Sequence, residues 1–177
     1  MKSLLSPVLS AQQCASCRFC CTFLRSEAWE TPVFSEKELL TLSASYGPLS
    51  VLRRDGAFTY DLSAYWLRHG PDSYAPCPFL DKDRGCMRDE AHKPFDCKIW
   101  PLRVMRMESG SVVIVLDTAC RVLDASHTEQ MKDFVVGSAA EEIAREAFRN
   151  PSMIKDYSGG LPVLLDITHL MKTHPQS

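Results

Sequence analysis

The sequence predicts an α+β fold, with small antiparallel hairpins plus helices arranged around a cysteine-ligated metal site. Three observations predict it. Four of the eight cysteines crowd into Cys14-Ala-Ser-Cys17-Arg-Phe-Cys20-Cys21, and the others, Cys77, Cys86, Cys97 and Cys120, follow far downstream. Two pairs of strand-like runs are joined by turn residues, at Asp55-Gly56 and at Glu108-Ser-Gly110. Helical stretches with start and stop signals lie between and after them.

A two-residue spacer between cysteines lets the backbone turn so that both sulfurs face one point, which a thiolate-bound metal requires. On an α-helix, where residues turn about 100°, Cys14, Cys17 and Cys21 share one stripe. Cys17, Cys20 and Cys21 form a similar one. In either case one of the adjacent pair points elsewhere. Cys20 and Cys21 are therefore expected to serve different metals, or one to ligate while the other packs. Free buried cysteines also act as small hydrophobes, and for the isolated Cys120 that reading competes most strongly.

The 177 residues suit one domain, or one domain with an appended helical region, and 45% apolar residues suffice for a core. Net charge is -2, which gives no reason to expect nucleic acid as a partner. Over 77–106, seven Lys/Arg face five acids, a local excess of +2 that favours thiolates. No stretch reaches the ~18 apolar residues of a membrane span, and the N-terminus, broken by Pro7, makes a poor signal peptide. The expected compartment is the reducing cytoplasm, where eight cysteines are more naturally ligands than disulfides.

Taken in order, residues 1–13 read as an extended lead-in, 14–125 as a cysteine-cluster metal-binding domain, and 126–177 as a C-terminal helical extension packed on the same core. Ser35-Glu-Lys-Glu38 is a capping box, and Gly47-Pro48 closes its helix. Ser50–Arg54 and Ala57–Leu62 flank Asp55-Gly56 as a hairpin. Residues 64–76, with Trp66, His69, Gly70 and Pro71, read as loop. Cys77–Leu80 and Gly85–Met87 form a short ribbon with a cysteine on each arm. Residues 88–101 hold one helical turn, before or after Pro94. Leu102–Met107 and Ser111–Leu116 make a second hairpin, with Cys120 just past it. Thr128 to about Arg149 is helical, with Gly137 a point of bending, and Leu161–Ile167 fits strand or helix.

Cys14-x2-Cys17-x2-Cys20-Cys21, followed by Cys77-Pro-Phe-Leu, Gly85-Cys86-Met-Arg, Lys93-Pro94-x2-Cys97-x2-Trp100-Pro101 and a further cysteine, resembles the CxxCxxCC (YkgJ-type) cysteine-cluster family, a zinc- or iron-chelating domain. The resemblance covers roughly 14–120 and extends to the cysteine signature of flagellin lysine N-methylases. The family often has Arg-Pro where this chain has Lys93-Pro94, and Cys-Pro-Gly where it has Cys120-Arg121-Val122. The resemblance implies metal binding and leaves the metal open.

The expected function is metal binding, with an iron–sulfur cluster, a 4Fe–4S cubane among the options, held by cysteines from two parts of the chain. Three sulfurs at two-residue spacings with a remote Cys77-Pro78 resemble the bacterial C-x2-C-x2-C and distant C-P pattern. The alternatives are a structural zinc-binding interaction domain, and a metal-dependent, methylase-like group-transfer enzyme or accessory. The metal candidates are Cys14, Cys17, Cys20, Cys21, Cys77, Cys86, Cys97 and Cys120. His92 and Asp96 lie among them, where surface roles are more natural than acid–base ones. No nucleotide-binding glycine loop is present; a protein or redox partner is expected, with no membrane contact.

Overall fold

The computed structural model describes residues 4–5, 7–9, 12–13 and 17–172, so Cys14 lies outside the described residues. The architecture is mixed α and β, with four small sheets and six α-helices among these residues.

The first helix, α1 (Glu36–Tyr46), starts where its capping box requires: Ser35 N–H donates to Glu38 Oε2 (2.7 Å), and Glu38 N–H donates to Ser35 Oγ (3.3 Å). Gly47, at φ 88°, ends it. Strand β1 (Thr22–Phe23) precedes it. Strands β2 (Val51–Arg54) and β3 (Ala57–Tyr60) then form the expected hairpin, with Asp55 and Gly56 both at positive φ.

Residues 64–76 are not a loop throughout. Helix α2 (Ser63–His69) opens where the Asp61 carboxylate accepts from Ser63 N–H (2.9 Å). Its Trp66 is buried, and the indole N–H donates to the Ser73 carbonyl (3.2 Å). The turn residues Gly70 and Pro71 obscure this helix, whose burial rests on one tryptophan. Strand β4 (Ala75–Pro76) then pairs antiparallel with β1.

Strands β5 (Leu80–Asp81) and β6 (Gly85–Cys86) form the ribbon, with Leu80 opposite Cys86 and Cys77 just outside the paired residues. Residues 88–101 hold two turns, one on each side of Pro94: a 3-10 turn, Glu90–His92, and helix α3 (Phe95–Ile99). Trp100–Pro101 is a cis peptide leading into β7 (Leu102–Arg106), which pairs with β8 (Val112–Leu116).

Helix α4 (Ala125–Phe134) begins three residues before Thr128, because the Asp124 carboxylate accepts from Ser126 N–H (2.9 Å) and His127 N–H (3.3 Å). A π-helical stretch, Val135–Ala139, contains Gly137 and joins α4 to α5 (Ala140–Arg149). Two further strands follow. β9 (Lys155–Asp156) lies parallel to β7, and β10 (Val163–Asp166) lies antiparallel to β8 with a bulge, so the main sheet runs β10-β8-β7-β9. Helix α6 (Thr168–Lys172) closes the described chain.

The main core lies between this sheet and α4–α5, around Leu102, Val104, Ile114, Met131 and Ile143. Leu5 and Leu9 are buried in the same core, and the described part of the N-terminal segment is turns at 4–5 and 7–9 and helical at 12–13 rather than an extended lead-in. A second core, with Phe23, Phe34, Tyr60, Trp66, Cys77 and Phe79, lies under the cysteine-bearing half.

Candidate metal centre

The cysteine-rich segment does not continue as an α-helix. Arg18 takes a left-handed conformation (φ 56°), and a 3-10 turn, Phe19–Cys21, follows, with Cys21 N–H donating to the Arg18 carbonyl (3.0 Å). This break removes the stripe that would align Cys17 with Cys21. The seven described cysteines are free thiols, and they fall into two groups.

The first group is Cys21, Cys77, Cys86 and Cys97. Pairing of β1 with β4 sets the two halves together, and Cys77 N–H donates to the Cys21 carbonyl (2.7 Å). Leu80 N–H returns to the Cys77 carbonyl (2.9 Å), and the β5–β6 register then brings in Cys86. Cys97 comes from α3, where its N–H donates to the Pro94 carbonyl (3.0 Å). Asp96 ties this helix to the N-terminal half by accepting from Val33 N–H (3.0 Å).

Arg88 connects the group. Its Nη2 donates toward Cys97 Sγ (3.6 Å), its Nη1 donates to Tyr60 Oη (2.6 Å), and the guanidinium lies over the Phe79 ring at 4.7 Å. Burial disfavours its charge, but Cys97, Tyr60, Cys77 and Cys86 all act on it, and its pKa is held above the ordinary value. Desolvation pushes the Cys77 thiol up to about 11 and the Cys97 thiol up to about 12, with Arg88 opposing both. Cys21 is the exception. The hydrogen bond from Cys20 outweighs burial, Arg88 and Lys93 add to it, and the thiol is lowered to about 7.

The second group is Cys17, Cys20 and Cys120, which line a small pocket with Phe19, Trp100 and Val122. Cys120 reaches it through a turn after β8, its N–H donating to the Asp117 carbonyl (3.4 Å). Desolvation pushes the Cys120 thiol up, against the Val122 N–H, with Cys17 adding to the rise. Trp100 is fixed by Arg103, whose guanidinium lies 4.1 Å from its ring centre and pairs with Glu30 (2.9 Å) and Asp117 (3.5 Å). The two groups adjoin, with Cys20 Sγ 4.0 Å from Cys21 Sγ.

His92 stands outside both groups. Its Nδ1 is 2.7 Å from Asp89 Oδ1 and its ring packs edge-on against Tyr46. His69 stacks on Tyr65 at the end of α2. Among the described residues no three His, Cys, Asp or Glu side chains stand close enough to hold one metal ion as they are. The donor set is chemically suited to a soft, thiolate-bound metal.

Arg88 and Tyr60 are the residues to which sequence reasoning gave no site role. Arg88 entered as the last residue of the Gly85-Cys86-Met-Arg motif and toward the local positive charge, and Tyr60 only as a strand residue.

No family model matches the chain, and no curated protein and no solved structure matches it either. Among the described residues no helix is long and apolar enough to cross a membrane.

Proposed function

We propose that this protein binds metal through cysteines from two parts of the chain, and that the metal is an iron–sulfur cluster. The observation that carries the reading is the assembly of Cys21, Cys77, Cys86 and Cys97, from four separate segments, about one buried arginine. A core with no such role does not need four thiols around a cation. An all-sulfur donor set suits a cluster, and the Cys17, Cys20 and Cys120 group supplies donors for a second centre. Membership of the CxxCxxCC cysteine-cluster family and residence in a reducing compartment belong to the same proposal and rest on the motif spacing.

Chain residues alone account for the rest. The Cys20 hydrogen bond, with Arg88 and Lys93 adding to it, lowers the Cys21 thiol, so this donor gives up its proton to a metal more readily than Cys77 or Cys97. Phe79 and Tyr60, both buried, pack against Arg88 within the group.

Anaerobic purification with iron, zinc and sulfide analysis tests the proposal. Iron and acid-labile sulfide near four each per chain, with a broad band at about 400 nm, is the expected result for one cubane. Stoichiometric zinc in a colourless protein from iron-supplemented cells would replace the cluster with a structural zinc site, and absence of both metals would end the metal reading.

A further inference from the structure

We infer that Arg88 is the built-in counter-charge and N–H donor of the thiolate site, a positioning residue that sets how tightly the four-cysteine group holds its metal. This rests on the metal-binding proposal above and adds to it a residue outside the donor set.

Arg88 is only 4% exposed, and its Nε–H is buried with no acceptor among the described residues. A buried guanidinium without an anion is costly, because desolvating the charge is not offset. Among the described residues, no carboxylate pairs with it: the ion pairs are those of His92, Lys93, Arg103, His127 and Arg149. Its neighbours are instead the Tyr60 hydroxyl, the Phe79 ring and the Cys97 sulfur. Tyr60 is 2% exposed and a neutral phenol, so it supplies no countercharge. Among these described neighbours the Cys97 sulfur becomes an anion on binding metal, as do the Cys77 and Cys86 sulfurs that act on the same charge.

The charge balance then runs both ways. Four thiolates around a divalent ion, or around a cubane of equal charge, carry two excess negative charges. Enclosing those charges in an apolar wall needs a cation close by, and Arg88 is already there. With the thiols protonated, Arg88 stands uncompensated and its Nε–H unused. Thiolate–metal formation supplies the anion, and a sulfur acceptor for the free N–H. Groups that orient and polarise metal ligands from behind contribute about 10–100-fold to metal affinity.

The test uses the full-length, metal-free protein under anaerobic conditions, with Co2+ as the probe in competition with a chelator. The thiolate-to-cobalt charge-transfer band is the readout. Arg88→Met should bind cobalt about 10–100-fold more weakly than wild type and shift that band, while Arg88→Lys should recover most of the loss. Lys37→Met, an exposed cation on α1, should bind as wild type does. Should Arg88→Met fail to fold, Arg88→Gln, which keeps an N–H donor without charge, takes its place against Arg88→Lys. Equal cobalt affinity in wild type and the neutral variant would overturn the inference while leaving the metal reading intact. So would an Arg88→Lys variant as weak as the neutral one. Wild type that binds no cobalt would defeat both.

Discussion

The Cys77 N–H donates to the Cys21 carbonyl at 2.7 Å, joining two cysteine segments separated by more than fifty residues of chain. Next to this bond, β1 and β4 contribute only two residues each, so the junction is short. Thiolate–metal bonds would reinforce it: a metal shared among Cys21, Cys77, Cys86 and Cys97 ties four segments whose loops are otherwise entropically free.

Metal removal should therefore destabilise the fold. Structural thiolate sites contribute several kcal/mol, and each kcal/mol moves the melting temperature by about 2–4 °C in a chain of this size. The chelated protein should melt on the order of 10 °C lower in calorimetry. An unchanged melting temperature would show that the fold does not depend on metal.

The two thiol groups should respond separately to mutation. Cys86→Ala or Cys97→Ala removes a donor from the group around Arg88 and should abolish metal there. Cys120→Ala changes the pocket shared with Cys17 and Cys20 and should leave that metal in place. Metal analysis of the three purified variants decides the point, and equal losses would contradict the partition.

In the metal-free protein Cys21 should be more reactive than Cys77 and Cys97. A thiolate is the nucleophile, and its fraction rises with pH through the pKa. Cys21 alkylation by iodoacetamide should rise between pH 6 and 8 around a midpoint of about 7 and then level off. Cys77 and Cys97, pushed up to about 11 and about 12, should stay largely unmodified over that range. Mass spectrometry of short-pulse samples reads this, and faster labelling of Cys97 than of Cys21 would contradict it.

The core between sheet and helices should carry the stability of the C-terminal half. Ile143 on α5 is fully buried against that core, and Ile143→Ala should cost about 2–5 kcal/mol in urea unfolding. Leu40 on α1 is 66% exposed, and Leu40→Ala should cost less than about 0.5 kcal/mol. Similar costs for the two would mean that the core is misassigned.

What could be read in the sequence was what local chemistry determines. Ser35 with Glu38, and Asp55 with Gly56, dictate a helix start and a turn through contacts within a few residues, and both formed as expected. Helix α2 was missed because Trp66 holds it through a long-range core, with turn residues immediately after. The expectation that Cys20 and Cys21 point apart did not hold, because their sulfurs lie 4.0 Å from each other. The left-handed Arg18 puts Cys17 with Cys20 rather than with Cys21, and no residue pattern announces that turn. Arg88 was legible as a member of the Gly85-Cys86-Met-Arg motif, but its burial was not, since an arginine becomes a core residue only when distant segments close over it.

X-ray absorption at the edge of the bound metal, on anaerobically purified protein, tests the thiolate ligation most directly. The account predicts nearest neighbours that are all sulfur, at about 2.3 Å, with a metal–metal distance in addition if the centre is an iron–sulfur cluster. Nearest neighbours dominated by nitrogen or oxygen, or metal far below one equivalent per chain, would contradict it.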